Sequence, residues 1–498
     1  MKLKLLILFL LAIQYSFAQD LSIGYNANDV VQHPMQPLAK PAYLQSVTDP
    51  SFPSTEIRRI TEATAGDFIA PMYSTIQSWN ADESLMIVYK KGGTHQLLNG
   101  QNYTFIRDLT DVSPDDVESI FWSFTDPDVL FYMDNFNDNL YSYNVQTQVK
   151  TIIVNIRTIS GCPTSDGLSG GNDIQMMSWD NDVFSFRCGN NAAYYYRIST
   201  ATLTQFNIAN ISFTAPMPFP SGNLFFHKEK VYDVNGNFVR DLNIDKTEHS
   251  CIGKLSNGDD AIFAIAFEQG PSGGCQGSLV AHNATTGNCF SVTPVSTPDG
   301  SADLYAYPKS GTHISSLAHK NTEGGWVAVS SLGFEKDGVR ILDQELYIAK
   351  VNEFDADVYR VAHHRSDEDE INYWGEPHVT ISPTGTRLLF GSDWSGTEDG
   401  ISVDSYVAEL NSFTLSTVSS TLVSNIKIYP NPVTDVLSVE ANNQDTLNYS
   451  IYDITGKKLV KKSMTSQDNI DVSNLSNGVY FVQFTSKTAK QTLKFIKK

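Results

Sequence analysis

An all-β fold, a seven-bladed β-propeller followed by a small C-terminal β-sandwich, is the architecture this sequence predicts. Three observations carry it. A strand-turn-strand unit recurs through roughly residues 20 to 410, most copies are followed by a third strand, and a spare strand-like segment precedes the first copy. Repeats of this kind decide between one large domain and several small ones.

In chain order, Met1 to Ala18 places Lys2 and Lys4 before an apolar run from Leu5 to Ile13 and ends on Ser16-Phe17-Ala18. That is the order of a secretory signal peptide, residues 1–18, with the mature chain starting near Gln19. The run is too short for a membrane span, and no second long apolar run follows. Lys and Arg number 35 against 55 Asp and Glu, a net charge of −20. Such a balance favours solubility and speaks against nucleic acid as a partner.

The propeller reading covers residues 19–410. Its units open at Tyr73 ("YSTIQSWNADESLMIVYKK"), Val117, Ile174, Phe213, His249, His313 and His378 ("HVTISPTGTRLLFGSD"). Each alternates apolar and polar residues, turns on Asn, Asp, Pro or Gly, and resumes as an apolar strand. Third strands follow in "NLYSYNVQT", "AAYYYRIST", "ELYIAKV" and "SYVAEL". "EIRRIT", Glu56 to Thr61, is placed to supply the missing outer strand of the last blade and so close the ring. Two stacked sandwiches, the competing arrangement, would not repeat this turn. "GLSGGND", Gly167 to Asp173, has no following helix or Lys and reads as a turn rather than a phosphate loop.

Five cysteines sit in a chain addressed to an oxidising compartment. Proximity favours Cys162 with Cys188 and Cys275 with Cys289, which leaves Cys251 free; the spacing alone does not determine connectivity. None has the spacing of a zinc site.

Aligned on their turns, the last three units place His249, His313 and His378 at one position, the entry of the innermost strand. Equivalent positions of adjacent blades meet around the axis, so three of the chain's ten histidines should converge at one mouth of the channel. Glu376 lies two residues before His378 on the same face of an extended chain, and Glu248 adjoins His249. Two imidazoles with a carboxylate suit a divalent cation, Mn or Zn, with Ca as a further option. The competing account is that the histidines hydrogen-bond strand ends and plug the channel. Trp79, Trp122, Trp179 and Trp374 fall where a sugar ring could stack, or where core packing would equally place them.

After a Ser/Thr-rich linker, residues 411–424, the chain changes character at 425–498 to short strands with Pro, Asn and Gly turns. Tyr429-Pro430-Asn431-Pro432, Asp453 to Lys457 and Gly478-Val479-Tyr480-Phe481 resemble the type A C-terminal sorting domain of the type IX secretion system of Bacteroidetes. The resemblance implies export across the outer membrane, to the surface or the medium, with the type IX machinery as a partner.

The H-x-x-x-SP-x-G-x-x-x-x-F-x-SD pattern from His378 to Asp393 is similar to the repeat of TolB-type propellers, including oligogalacturonate lyase. By that resemblance His313 and His378 match metal-ligand positions and His249 the catalytic base. Glu376 stands where the family has another His, and the family's Gln ligand has no clear counterpart near Asn372 or Tyr373. The resemblance implies a polysaccharide lyase acting by metal-assisted β-elimination on an acidic, uronate-containing polysaccharide, with the chain taken as a monomer. Arg365, in "HHRSDEDE", would then grip a sugar carboxylate, or be a solvated loop charge. His363 and His364 share that ambiguity, and His319 is expected to point away. The alternative is a non-catalytic surface propeller that binds glycan or protein. No Ser, His and Asp order suggests a peptidase.

Overall fold

The structure is a computed structural model. It describes residues 20–134, 136–171, 175–208, 211, 214–244, 249–268, 273–294, 312–333, 338–367, 372–395, 402–413, 427–440, 447–453, 458–464, 469–485 and 490–498. The signal-peptide segment 1–18, Glu248 and linker residues 414–424 lie outside them. The chain divides into two compact units between Asn411 and Ser412.

Among the described residues, the first unit contains seven antiparallel sheets, six of four strands and one of five, a seven-bladed propeller. Middle strands such as Asp260–Ala266 and Arg387–Ser392 are buried along their whole length because each blade is covered on both faces by its neighbours. Arg387–Ser392 shows how alternation divides such a strand. Leu388 and Phe390 pack with Ile57, Ala328, Ile348 and Tyr406 toward blade six. Leu389 faces the other way, onto Trp79, Met86 and Val88 of blade one.

The turn entering this strand is closed by Gly385 N–H to the Ser382 carbonyl at 2.8 Å. Gly385 has φ +85°, a left-handed conformation that glycine adopts without the strain a side chain would bring.

The ring closes through Phe52–Arg59, the fourth strand of blade seven, paired antiparallel with Asp404–Glu409 in the register Glu56 with Glu409 to Arg59 with Tyr406. The expected closing strand is therefore present, starting four residues earlier than Glu56. A fifth strand, Ser46–Asp49, covers its outer edge. Charged groups clasp this seam. Arg58 Nε and Nη2 donate to the two Glu409 oxygens at 3.1 Å each. Arg59 and Lys40 meet the buried Asp404 at 2.8 and 3.0 Å. Arg387, fully buried in blade seven, donates to Glu83 in the first turn of blade one.

Cys162 is joined to Cys188 and Cys275 to Cys289, and Cys251, which belongs to neither disulfide, is buried. A short helix, Ile156–Ser160, is capped by the Asn155 side chain. The second unit pairs a three-stranded with a four-stranded sheet. Between them lie Leu437, Ile451, Ile470, Val482, Phe484 and Phe495, the core of a small sandwich.

Two expectations follow. Arg387→Ala strands the buried Glu83 carboxylate and should cost about 3–5 kcal/mol in urea unfolding, while Arg387→Met with Glu83→Leu recovers much of the loss. The second concerns pH. His364 is wholly buried; its Nδ1 accepts from Ser366 N–H at 3.1 Å and its Nε2–H donates to the Ser331 carbonyl at 2.9 Å. Burial foremost, with His363 and Arg365 adding, pushes it from 6.5 down to about 4. The unfolded chain therefore binds the extra proton first, so its contribution is intact above pH 6.5 and is lost as pH falls from there toward 4. His364→Asn should be the less stable at pH 7 and should lose less on acidification, a difference on the order of 3 kcal/mol in paired melts.

Candidate metal centre

Three blades deliver the site. His249 precedes the inner strand Ser250–Lys254 of blade five, His313 lies in Thr312–Ser315 of blade six, and His378 precedes Thr380–Ile381 of blade seven. Their rings form a chain around the axis, with centroids 4.7 Å apart for His249 and His313 and 4.3 Å for His313 and His378. His378 holds φ +42°, a backbone conformation rare outside glycine, and strain of this kind is typical of functional positions.

Glu376 Oε2 lies 3.2 Å from His313 Nε2 and 3.5 Å from His378 Nε2. Donor atoms of these three residues all fall within 4.8 Å of one another. Although the separations are short, neither is aligned as a hydrogen bond, and among the described residues all four ring nitrogens of His313 and His378 lack a hydrogen-bond partner. Buried polar atoms are rarely left so. Two orphaned imidazoles and one carboxylate are a donor set that fits a divalent cation.

The protonation states agree. Burial, with His378 and His249 adding and Glu376 opposing, pushes His313 down to about 3. Burial also lowers His378, against the pull of Glu376. For Glu376, burial alone would raise the carboxyl, but His313 and His378 outweigh it and hold it below the ordinary range. At neutral pH the group is two neutral imidazoles beside a carboxylate, which attracts a cation and offers it lone pairs.

Tyr73, Tyr373 and Glu118 complete the surroundings. The Tyr73 ring stands 5.7 Å from each of the three histidine rings, and its hydroxyl hydrogen-bonds His249 Nδ1. Tyr373 lies 4.5 Å from His378 and donates its hydroxyl to Glu118 Oε1 at 2.8 Å. Burial, with Asp116 adding and Tyr373 opposing, pushes Glu118 up to about 7. None of the three is singled out by a repeat of one residue type, the signal that marks the histidines.

Arg365 does not join the group. It is buried, donates to the Gln36 carbonyl at 2.8 Å, and reaches Asp49 at 3.4 Å over the Trp394 ring. It is thus neither at the site nor a solvated charge. His363 lies beside Asp49 at 3.3 Å, His364 is held as described above, and His319 packs edge-on against Phe124. Trp79 and Trp122 are core residues bonded to Gly100 and Ser78. Farther along the inner strands the channel narrows to a cavity of about 10 Å³ lined by Gln77, Trp122, Gln175, Met177, Ile252 and Leu317.

Residues 427–498 match the secretion system C-terminal sorting domain family. The last unit is a sorting domain. It marks the protein for type IX export to the cell surface or beyond. No curated protein matches the chain in sequence. Among solved structures, an oligogalacturonate lyase from Vibrio parahaemolyticus aligns with a TM-score of 0.50 at 15% identity, over 73% of this chain and 96% of that one. An oligogalacturonate lyase in complex with manganese aligns with a TM-score of 0.51, also at 15% identity, over 76% and 97%. The propeller thus shares the fold of these lyases.

A cation held by His313, His378 and Glu376 should show in stability. Mn2+ at about a hundred times its dissociation constant should stabilise the wild type by ~2.7 kcal/mol. The same addition should leave the melting temperature of His313→Ala unchanged in a thermal-shift series.

Proposed function

We propose that the propeller is a polysaccharide lyase that cleaves a uronic-acid-containing polysaccharide by β-elimination, with a divalent cation, Mn or Zn and with Ca as a further option, held by His313, His378 and Glu376. The observation that carries the reading is the convergence of the three imidazoles and Glu376 at one mouth of the channel. The shared fold and the export signal support it, since uronate polymers are extracellular substrates too large to import whole.

In this reading the residues divide the work. His313, His378 and Glu376 present buried donors to the cation, which when bound supplies positive charge opposite the carboxylate that gains electron density as the adjacent proton leaves. His249 keeps its own proton on Nδ1, toward the Tyr73 oxygen, and takes the C5 proton on Nε2. The C5–H electron pair becomes the C4=C5 double bond, the C4–O bond breaks, and the departing oxygen takes a proton from solvent. Tyr73 fixes the ring and tautomer of His249, as an orienting partner does for a general base.

A second reading, a non-catalytic propeller binding glycan or protein, is favoured by one observation: Arg365 is committed to Asp49 and Gln36 and does not reach the site. The two separate in one assay. Ultraviolet absorbance of the unsaturated product should rise when the purified protein meets a uronate polymer, fall to background with EDTA, and drop by about 10²–10⁴-fold in His249→Ala. No rise on pectate, alginate or ulvan-type polymers with Mn2+ present would favour the binding propeller.

A further inference from the structure

We propose that Tyr373, braced by Trp374 and tied to Glu118, is a sugar-stacking platform that holds the saccharide ring next to the one being cleaved. The proposal rests on the lyase reading and adds a residue that the elimination chemistry does not itself require.

Tyr373 is 38% exposed although it lies directly against the fully buried His378. An exposed ring in such a place is usually mobile, and this one is restrained from several sides. Trp374 meets it edge-on at 5.2 Å and 84°. Trp374 is in turn stacked on Phe68 at 4.7 Å and 13°, and lies 4.9 Å from Tyr89. The hydroxyl is held by Glu118, which comes from the entry to blade two. The short turn Asn372–Gly375 that carries the ring is fixed by Glu376 N–H to the Tyr373 carbonyl at 3.2 Å and by the Ser366 hydroxyl on the Gly375 carbonyl. Little conformational freedom is left to lose when a ligand packs on the ring.

An aromatic face beside a carboxylate is the chemistry of saccharide recognition. The C–H face of a pyranose is apolar and packs on the ring, while its hydroxyl rim needs acceptors, which Glu118 supplies at the platform's edge. The arrangement also orients the chain. With the reacting uronate's carboxyl group on the histidine side, a hydroxyl-bearing edge of the neighbouring sugar faces the Glu118 oxygens, which accept from it. The ligand class is therefore an oligosaccharide of two or more rings, not a single uronate.

The test is calorimetric titration of the full-length protein with Mn2+ present, in a His249→Ala background that prevents turnover, with saturated oligogalacturonate, oligomannuronate and a neutral oligoglucan. Tyr373→Ala should weaken binding of the recognised oligomer by about 10-fold, and Tyr373→Phe should retain most of it. In the otherwise wild-type enzyme, Tyr373→Ala should raise KM far more than it lowers kcat. Unchanged affinity in Tyr373→Ala, or a loss confined to kcat, overturns the platform while product absorbance in the wild type leaves the lyase reading standing. Sugar binding that falls in Tyr373→Ala, without any product absorbance in the wild type, keeps the platform and overturns the lyase reading. Binding of none of the three oligomers overturns the platform, whatever the absorbance shows.

Discussion

Closure of the ring is the constraint on which the rest of the propeller depends. Seven sheets arranged about an axis bury their faces on one another, but the first and last blades must still be joined, or two broad apolar faces remain open. The chain meets this by pairing a strand from its beginning, Phe52–Arg59, with one from the end of the same unit, Asp404–Glu409. The seam gathers the charged groups: Arg58 with Glu409, Arg59 and Lys40 with Asp404, and Arg387 with Glu83. Such pairs add little net energy over apolar packing, yet their geometry admits one register. Register matters here, because a slip of one residue would turn the inward face of blade seven outward.

The candidate metal centre inherits its precision from that closure. His313 and His378 belong to neighbouring blades and meet only because blades six and seven are pressed together through Ala328, Ile348, Leu388 and Phe390. Their side chains are 1% and 0% exposed, and burial of that degree keeps the imidazoles neutral. Glu376, a quarter exposed, stands on the solvent side of the pair. Two desolvated neutral donors beside one charged, more open one make up the candidate socket for a cation.

Around the socket, the tyrosines divide the histidines between them. Tyr73 binds His249 through its hydroxyl, and Tyr373 lies against His378 while its own hydroxyl is turned to Glu118. Blades one and two thereby reach across the mouth to the blades that carry the imidazoles. The site is built from both ends of the propeller sequence, which ties its geometry to the same closure.

Much of this was legible in the residues alone. Seven strand-turn-strand units, the spare strand before the first of them and the histidines at one register were enough to predict the propeller, its closure and the meeting of His249, His313 and His378, because a period-two pattern and a repeated turn are local properties of a chain. The sorting domain was equally legible, from short motifs that keep their order. The sequence could not show that Arg365 turns away to Asp49, that Ser46–Asp49 adds a fifth strand, or that Tyr73, Tyr373 and Glu118 line the mouth. Those contacts join residues up to about three hundred positions apart in the chain, and none leaves a periodic trace. A side chain's direction at a blade edge is decided by which neighbour the closed ring brings beside it, and that is a property of the tertiary structure.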